Sequence, residues 1–417
     1  MINSRIPGFY KKGVEQRRAE IAGQTGLTPG EVASITTGGL DDGKADQMIE
    51  NVIGQFSLPL GVATNFTING KDVLVPMATE EPSVIAAASN AARMARKTGG
   101  FKAGSGKPLM IGQVQVIGGK PGSIEEIHAR RSELIEIANQ QDPVLVKFGG
   151  GAVDVKARAI DTQAGKMIVV HLIVDVRDAM GANAVNTMCE AIAPLIEELT
   201  SGKTVLKILT NYADKRIVTA STVFLKDDLG GPEIVERIML AYQLAENDVY
   251  RAVTHNKGVM NGISAVVRAT GNDTRAVEAG CHAYATRSGA YKSLTRYEVN
   301  SEGDLEASIE IPVATGIIGG ATKSHPVAQA ALKIIGIDSA QGLAEVIASV
   351  GLAQNLAALR ALADEGIQEG HMKLHAKNIA VMAGASGKDA ETIAEKMIEA
   401  GTLRVDVAKT LLEKYPR

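Results

Sequence analysis

Alternation of apolar and polar residues is clearest in the middle of the chain. Gln113-Val114-Gln115-Val116 places every second side chain on one face, the period of a half-buried strand. Ser123-Ile124-Glu125-Glu126 reads as a capping box, a serine followed three residues on by a glutamate, opening a helix that runs to Gln141. Two further strands are expected around 152–160 and 167–176, separated by the turn-like Thr162-Gln163-Ala164-Gly165. A helix over 182–199 and a strand over 204–209 complete the segment. The order is β-α-β-β-α-β, the split, ferredoxin-like arrangement, and not a Rossmann unit.

The flanks carry mixed signals. A helix is expected over 83–97, with Pro82 at its first turn, and others over 232–246 and 340–364. Residues 305–313 alternate as a strand. Gly366 and Gly370 bracket a break before a final helical segment, which suits a mobile flap or a plain helix C-cap followed by a loop. The expected class is therefore α+β. A large mixed helix and sheet domain is formed by 1–108 and 212–365, a ferredoxin-like domain is inserted at 109–211, and a helical flap spans 366–417.

Composition narrows the function. At 417 residues, more than one domain is expected. A net charge of −3 argues against a nucleic-acid binder, and 3% aromatic residues with no tryptophan leave few rings for base stacking. Cys189 and Cys281 are too few for a disulfide framework and lack metal-ligand spacing, so no metal is expected and the thiols read as buried and reduced. No apolar run is read as long enough to span a bilayer, and Met1-Ile2-Asn3-Ser4-Arg5 lacks a signal-peptide core. The expectation is a soluble, cytoplasmic protein.

Two short segments hold the candidate chemistry: His255-Asn256-Lys257-Gly258-Val259-Met260-Asn261-Gly262 and Gly271-Asn272-Asp273-Thr274-Arg275-Ala276-Val277-Glu278-Ala279-Gly280. Each sets an ionisable side chain among glycines and amides, where core packing explains little. Lys257 has no apolar period around it, and Asp273 precedes a helix start. If the two converge, each shifts the other's protonation, which holds a cation ready for a developing oxyanion. The bland reading is a surface lysine and an N-cap aspartate.

Four more segments join them: Glu50-Asn51-Val52-Ile53-Gly54, Val75-Pro76-Met77-Ala78-Thr79-Glu80-Glu81-Pro82-Ser83, Asp178-Ala179-Met180-Gly181-Ala182-Asn183 and Gly370-His371-Met372. Together, in this order, the set resembles the soluble, class II type of 3-hydroxy-3-methylglutaryl-coenzyme A reductase, from near Ser4 to the C-terminal region. The resemblance implies a four-electron reduction of a thioester to an alcohol, giving mevalonate and coenzyme A at the expense of two NAD(P)H. It also implies a small nicotinamide-binding domain inserted in a larger one. A different acyl-CoA dehydrogenase on the same scaffold, or a non-catalytic binding protein, is the competing reading.

The resemblance also implies roles for individual residues. Lys257 stabilises charge on the carbonyl oxygen in both hydride steps, with Asp273 keeping it charged and oriented. Glu81, immediately before the Pro-Ser, is the proton donor to the aldehyde oxygen, which requires that it be held protonated near neutral pH, while Glu80 reads as a solvated charge or helix-dipole partner. His371 protonates the departing thiolate, and His375 reads as a surface residue. His255 orients the Lys257 loop. Arg251, Asn261 and Ser83 bind the substrate's free carboxylate, and Arg5, Lys11 and Lys12 are loosely matched candidates for the coenzyme A phosphates. The nicotinamide dinucleotide is expected on Asp178, Met180, Gly181, Ala182 and Asn183, with Asn186 and Asn211 as further contacts. Gly149-Gly150-Gly151 and the glycine-rich turn at 316–320 either border ligand or close tight connections. Asp142 suits the ribose 2′-hydroxyl of NADH and repels the phosphate of NADPH, with Lys147 nearby in sequence. The family's sites form where two subunits meet, with Glu50–Gly54 at that contact, so a homodimer is expected.

Overall fold

A computed structural model describes residues 2–364 and 376–414. The chain opens with helices α1 (Val14–Thr25), α2 (Pro29–Thr37) and α3 (Asp42–Met48), then forms the hairpin β1 (Leu60–Ile68) and β2 (Lys71–Ala78). Asn69 and Gly70 make its two-residue turn, both at positive φ (49° and 75°), the conformation that matches strand twist and that Asn-Gly tolerates. Helix α4 (Val84–Ala95) and edge strand β3 (Lys102–Ser105) follow.

The middle of the chain forms a separate sheet: β4 (Leu109–Ile117), α5 (Ser123–Ala129), α6 (Arg131–Asn139), α7 (Pro143–Lys147), β5 (Gly151–Thr162), β6 (Gly165–Asp175), α8 (Ala182–Thr200) and β7 (Lys203–Leu209). Its strand order is β5-β6-β4-β7, with every neighbouring pair antiparallel. This is the ferredoxin-like order anticipated from the sequence pattern. Val114, Leu172 and Val174 pack against Ile127, Leu134, Met188 and Ile192 in one apolar core. A Cβ on Gly112 would stand 2.2 Å from Cys189 Sγ, so α8 lies directly on β4. Burial pushes the Cys189 thiol up to about 12, consistent with an inert packing residue.

Two local expectations fail here. The helix expected from Ser123 to Gln141 is broken at Arg130 into α5 and α6. Ser123 does not cap it: Gly122 is the N-cap, and buried Ser123 donates its hydroxyl to the Lys120 carbonyl at 2.6 Å. Likewise, Ser83 and Pro82 precede α4, whose first residue is Val84.

The rest of the chain before residue 364 comprises β8 (Ile217–Phe224), α9 (Lys226–Leu229), α10 (Pro232–Asn247), α11 (Val249–Ala269), α12 (Thr274–Tyr284), β9 (Thr295–Val299), β10 (Leu305–Pro312), α13 (Gly320–Ser324), α14 (Pro326–Ile335) and α15 (Ala340–Ala363). Strands β3-β8-β10-β9 form an antiparallel sheet, and α4, α11 and α15 share its apolar core. Helix α15 corrects the reading that no apolar run reaches membrane-spanning length. Its most apolar window has a mean hydropathy of 1.5, and 72% of that window is buried in the fold, where it serves as a core helix.

The segment 255–262, expected as a loop, is the centre of α11. Its glycines serve close helix packing. A Cβ on Gly262 would come within 3.0 Å of the Val350 carbonyl, and one on Gly351 within 2.8 Å of Ile263. The backbones of α11 and α15 approach where neither carries a side chain. Beyond residue 375, helical residues 376–382 (α16), α17 (Gly387–Glu399) and α18 (Val405–Lys414) pack on an apolar cluster of their own that includes Ala380, Ile393 and Met397. Gly366, Gly370, His371 and His375 lie outside the described residues.

Candidate active site

Helix α11 presents two polar faces. Its N-terminus is capped by Asp248, whose Oδ1 accepts from the Arg251 amide at 2.8 Å. Inward, His255 Nε2 meets Thr295 Oγ1 at 2.7 Å and Ser293 Oγ at 2.9 Å, while Asn256 pairs with the Lys292 carbonyl and the Leu294 amide. Burial, then the nearby Arg251 charge, pushes the His255 imidazole down to about 3, so it is neutral. These contacts pin the helix to the strand that follows it, so the orienting role expected for His255 takes the form of a buried anchor.

Outward, Lys257 and Asn261 stand one helical turn apart and converge on one carboxylate. Lys257 Nζ donates to Glu81 Oε2 at 2.7 Å, and Asn261 Nδ2 donates to Glu81 Oε1 at 3.1 Å. Glu81 lies in the turn between β2 and α4, its amide held by Thr79 Oγ1 at 3.2 Å. Glu80 is the more solvated of the two carboxylates, with 70% of its side chain exposed against 34% for Glu81. Arg268, two turns beyond Asn261, donates to the Ala78 carbonyl at 3.0 Å and anchors the end of β2 to the same helix.

Ser83 adjoins this group. Its φ of 71° is left-handed, a conformation that costs a non-glycine residue on the order of 1–3 kcal/mol and clusters at functional sites. Its hydroxyl has no hydrogen-bond partner among the described residues. Arg251 is half-buried and equally without a side-chain partner among them, and burial holds its guanidinium below the usual range. An unpaired, partly desolvated guanidinium suits a carboxylate ligand.

Asp273 departs from expectation. It caps α12, accepting from the amides of Arg275 at 2.9 Å and Ala276 at 3.2 Å, and pairs with the Arg275 guanidinium at 3.1 Å. The carboxylate against Lys257 is therefore Glu81, not Asp273. Sequence proximity suggested the wrong partner, because α11 carries Lys257 more than three turns away from the loop that holds Asp273.

The glycine turn before α8 is built for close approach. Gly181 has φ 99°, and a Cβ there would stand 2.4 Å from Val176. No side chain caps this nineteen-residue helix, so the first-turn amides of Ala182 and Asn183 are free to meet an anion. The residues before it are tied down from elsewhere. Asp178 Oδ1 accepts from the Ala340 amide at 2.8 Å, and the Asp178 carbonyl accepts from the Ile317 amide at 2.9 Å. Buried Arg216 donates to the carbonyls of Ala179, Met180 and Thr315. Asp178 is thus engaged at a helix N-terminus and in a backbone pair, while Asn183 is exposed. Asn186 Oδ1 accepts from the Leu209 amide at 2.8 Å and ties α8 to β7, whereas Asn211 is exposed at the end of that strand.

Asp142 caps α7, accepting from the Leu145 amide at 2.9 Å, and Lys147 ends the same helix. The Gly149–Gly151 turn next to it receives a hydrogen bond from Arg177, the residue before Asp178. Among the described residues, no group of three His, Cys, Asp or Glu side chains gathers as a metal site. Sequence reasoning overlooked Arg216 and Arg268. Arg216 ends the charged run Asp214-Lys215-Arg216, which reads as surface, yet it is 6% exposed. Arg268 sits on the Lys257 face of α11, a signal available only once that stretch is known to be helical.

Known proteins match this architecture along nearly the whole chain. A family model described as hydroxymethylglutaryl-coenzyme A reductase matches residues 13–376. The 3-hydroxy-3-methylglutaryl-coenzyme A reductase of Archaeoglobus fulgidus is 57% identical over 415 residues, covering 99% of this chain and 95% of its own. A solved structure of the Streptococcus pneumoniae reductase superposes with a TM-score of 0.84 at 41% identity, covering 98% and 99% of the two chains. A second structure from that organism, the class II reductase bound to NADPH in open conformations, gives a TM-score of 0.82 at 41% identity, covering 97% and 99%. A fold matched in this way along nearly its whole length is that of an NAD(P)-dependent oxidoreductase. The chain belongs to the hydroxymethylglutaryl-coenzyme A reductase family.

Proposed function

We propose that Lys257, Glu81, Asp273 and His371 carry the interconversion of 3-hydroxy-3-methylglutaryl-coenzyme A and mevalonate plus coenzyme A in this chain. The observation that carries the reading is the convergence of Lys257 and Asn261 on Glu81. Two nicotinamide molecules, held one after the other at the α8 turn, would each supply one hydride, the first to the thioester carbonyl carbon and the second to the resulting aldehyde. Lys257 stabilises the negative charge that appears on the carbonyl oxygen each time. Glu81, in its protonated form, would give a proton to the oxygen of the aldehyde as its carbon gains a hydride, leaving the alcohol and the Glu81 carboxylate. Asp273 orients the neighbouring loop rather than the lysine directly. His371 gives a proton to the coenzyme A thiolate once the carbon–sulfur bond breaks, so that the departing sulfur does not return. Arg251, with its unpaired guanidinium, and Ser83, with its free hydroxyl, bind the carboxylate of the hydroxymethylglutaryl group, assisted by Asn261.

The residues present fit a dinucleotide. The uncapped α8 N-terminus at Gly181, Ala182 and Asn183 receives a pyrophosphate, with Met180 beside it. Asp142 keeps one carboxylate oxygen beyond its cap bond, and its charge favours NADH over NADPH. The exposed Ile53 within the Glu50–Gly54 motif, with the exposed Ile49 and Phe56 on either side of it, suits a two-fold contact between copies of this chain. The parts 1–108 with 212–365, 109–211 and 366–417 then act as substrate domain, nicotinamide domain and flap.

The deciding measurement is stoichiometry, with NAD(H) and NADP(H) in both directions. Two nicotinamides oxidised per coenzyme A released supports the reading. One per substrate molecule points to a different acyl-CoA dehydrogenase, and none to a binding protein.

A further inference from the structure

Asn272, immediately before Asp273, makes a two-point clamp on a glycine 44 positions away. Its Oδ1 accepts from the Gly316 amide at 2.8 Å, and its Nδ2 donates to the Gly316 carbonyl at 3.1 Å. The same amide nitrogen reaches the Thr270 hydroxyl at 3.1 Å and the Thr270 carbonyl at 3.3 Å, which fixes the side chain on its own loop. A primary amide satisfies a backbone N–H and C=O at once through two separate atoms, without carrying charge.

Gly316 in turn bears on the nicotinamide turn. A Cβ there would lie 2.5 Å from the Met180 nitrogen, 2.8 Å from the Ala179 carbonyl carbon and 2.9 Å from the Asp178 oxygen. The next two residues continue the contact. The Ile317 amide donates to the Asp178 carbonyl at 2.9 Å, and Ile318 bridges Ala179 in parallel β fashion. Three loops therefore stack: 270–273 holds 315–318, and 315–318 holds 178–180. Helix α11 ends at Ala269, directly before the first of them, so the series continues from the helix that carries Lys257.

We propose that Asn272 is a positioning residue that sets the nicotinamide turn at a fixed distance from the lysine-bearing helix by clamping Gly316. The proposal rests on the reading that the turn at 178–181 receives the nicotinamide dinucleotide. The turn at 178–181 lies between β6 and α8 of the middle sheet, whereas Lys257 lies on α11, which packs in the core of the other sheet. Small errors in their spacing lower the rate steeply, because transfer requires a near-attack geometry. Hydrogen bonds between rigid backbones transmit that spacing better than long side chains do.

Asn272→Ala removes the clamp, and Asn272→Asp keeps the acceptor for the Gly316 amide while setting a carboxylate oxygen against the Gly316 carbonyl. Both should raise the KM for the nicotinamide about tenfold, the effect of losing hydrogen bonding worth about 1.4 kcal/mol. The KM for hydroxymethylglutaryl-coenzyme A should change less than twofold. Gly316→Ala, which drives a methyl into Met180, should shift the same constant in the same direction. Asn272→Gln, with the amide retained on a longer arm, should recover part of the loss. Gly181→Ala tests the underlying reading separately, since a methyl there disturbs the turn itself. If Gly181→Ala raises the nicotinamide KM and neither Asn272 variant nor Gly316→Ala does, the clamp has no positioning role and the proposal is overturned. If Gly181→Ala leaves that KM unchanged as well, the assignment of the turn falls and the proposal with it. An equal rise in both substrates' KM in the Asn272 variants assigns Asn272 to general folding and also overturns it. Should Asn272→Ala fail to fold, Asn272→Asp and Gly316→Ala decide the matter through the same two constants.

Discussion

Lys257 and Glu81 stand 176 positions apart in the chain and 2.7 Å apart in space. The pair contributes little to stability. With 60% of the lysine side chain exposed, water screens an attraction that is worth about 0–1 kcal/mol at such sites. Its placement is therefore better explained by chemistry than by folding. A buried anchor on one side of α11, His255 with Asn256, holds the lysine and its neighbour Asn261 toward the solvent-facing carboxylate on the other.

Replacing Lys257 by alanine should lower turnover in both hydride steps by about 100-fold or more, the scale of losing one oxyanion-stabilising donor. The thermal midpoint should move little, given the weak pair. Near-normal turnover in a folded Lys257→Ala protein would remove the lysine from the mechanism.

The two proton donors should separate by substrate. His371→Gln is expected to lose most activity on the acyl-coenzyme A substrate and to retain reduction of free mevaldehyde, because only the thioester releases a thiolate. Glu81→Gln should impair the aldehyde step as well. Steady-state rates on both substrates decide this, and equal losses in the His371 variant would reassign that residue to closure or structure.

Cofactor choice should respond to Asp142. Asp142→Ala is expected to improve NADPH use relative to NADH, since it removes a charge that opposes the 2′-phosphate. It should also cost about 1 kcal/mol of stability, because the side chain caps α7. The ratio of kcat/KM values for the two cofactors is the measurement, and an unchanged ratio places selectivity elsewhere, with Lys147 the next residue to vary.

Acid sensitivity should trace to His255. Its folded value of about 3 lies below the 6.5 of a free imidazole, so the unfolded chain takes up a proton that the folded chain refuses. The stability tied to this residue is full above pH 6.5 and is lost as pH falls toward 3. By about pH 4 the loss amounts to about 3 kcal/mol. His255→Gln should flatten the wild-type fall in unfolding free energy between about pH 6.5 and about pH 4, read from denaturant melts. Parallel slopes in the two proteins would show that other groups govern the acid transition.

Subunit contact should depend on Ile53, which is fully exposed within the Glu50–Gly54 motif. Ile53→Asp is expected to shift the protein toward monomer in gel filtration with light scattering, and to lower activity in parallel. A monomeric variant with full activity would mean that each subunit holds a complete site.

Much of this was legible in the residues, and the failures share a cause. The ferredoxin-like sheet declared itself through alternation and turn residues, because its strands pair locally around one helix layer. The motif segments marked Glu81, Lys257 and the Gly181 turn. The error at 255–262 arose because glycine and amide residues signal a loop when their packing partner is unknown, and that partner, Val350 on α15, lies some ninety residues on. The pairing of Lys257 with Asp273 was inferred from sequence distance, which a 21-residue helix makes a poor guide to spatial distance. Arg216 escaped notice because a cation buried among three carbonyls looks, in sequence, like any charged residue next to a lysine.

Gly262 and Gly351 both lie in the seam where α11 packs on α15, Gly262 against Val350 and Gly351 against Ile263. A methyl on Gly262 would meet the Val350 carbonyl and one on Gly351 the Ile263 side chain, so either substitution is expected to shift α11, the helix from which Lys257 and Asn261 reach Glu81. The placement of the lysine thus depends on a helix seam on a different face of α11 from Glu81. For a protein engineer, those two positions are a dial for moving the lysine by tenths of an ångström while every reacting group keeps its identity.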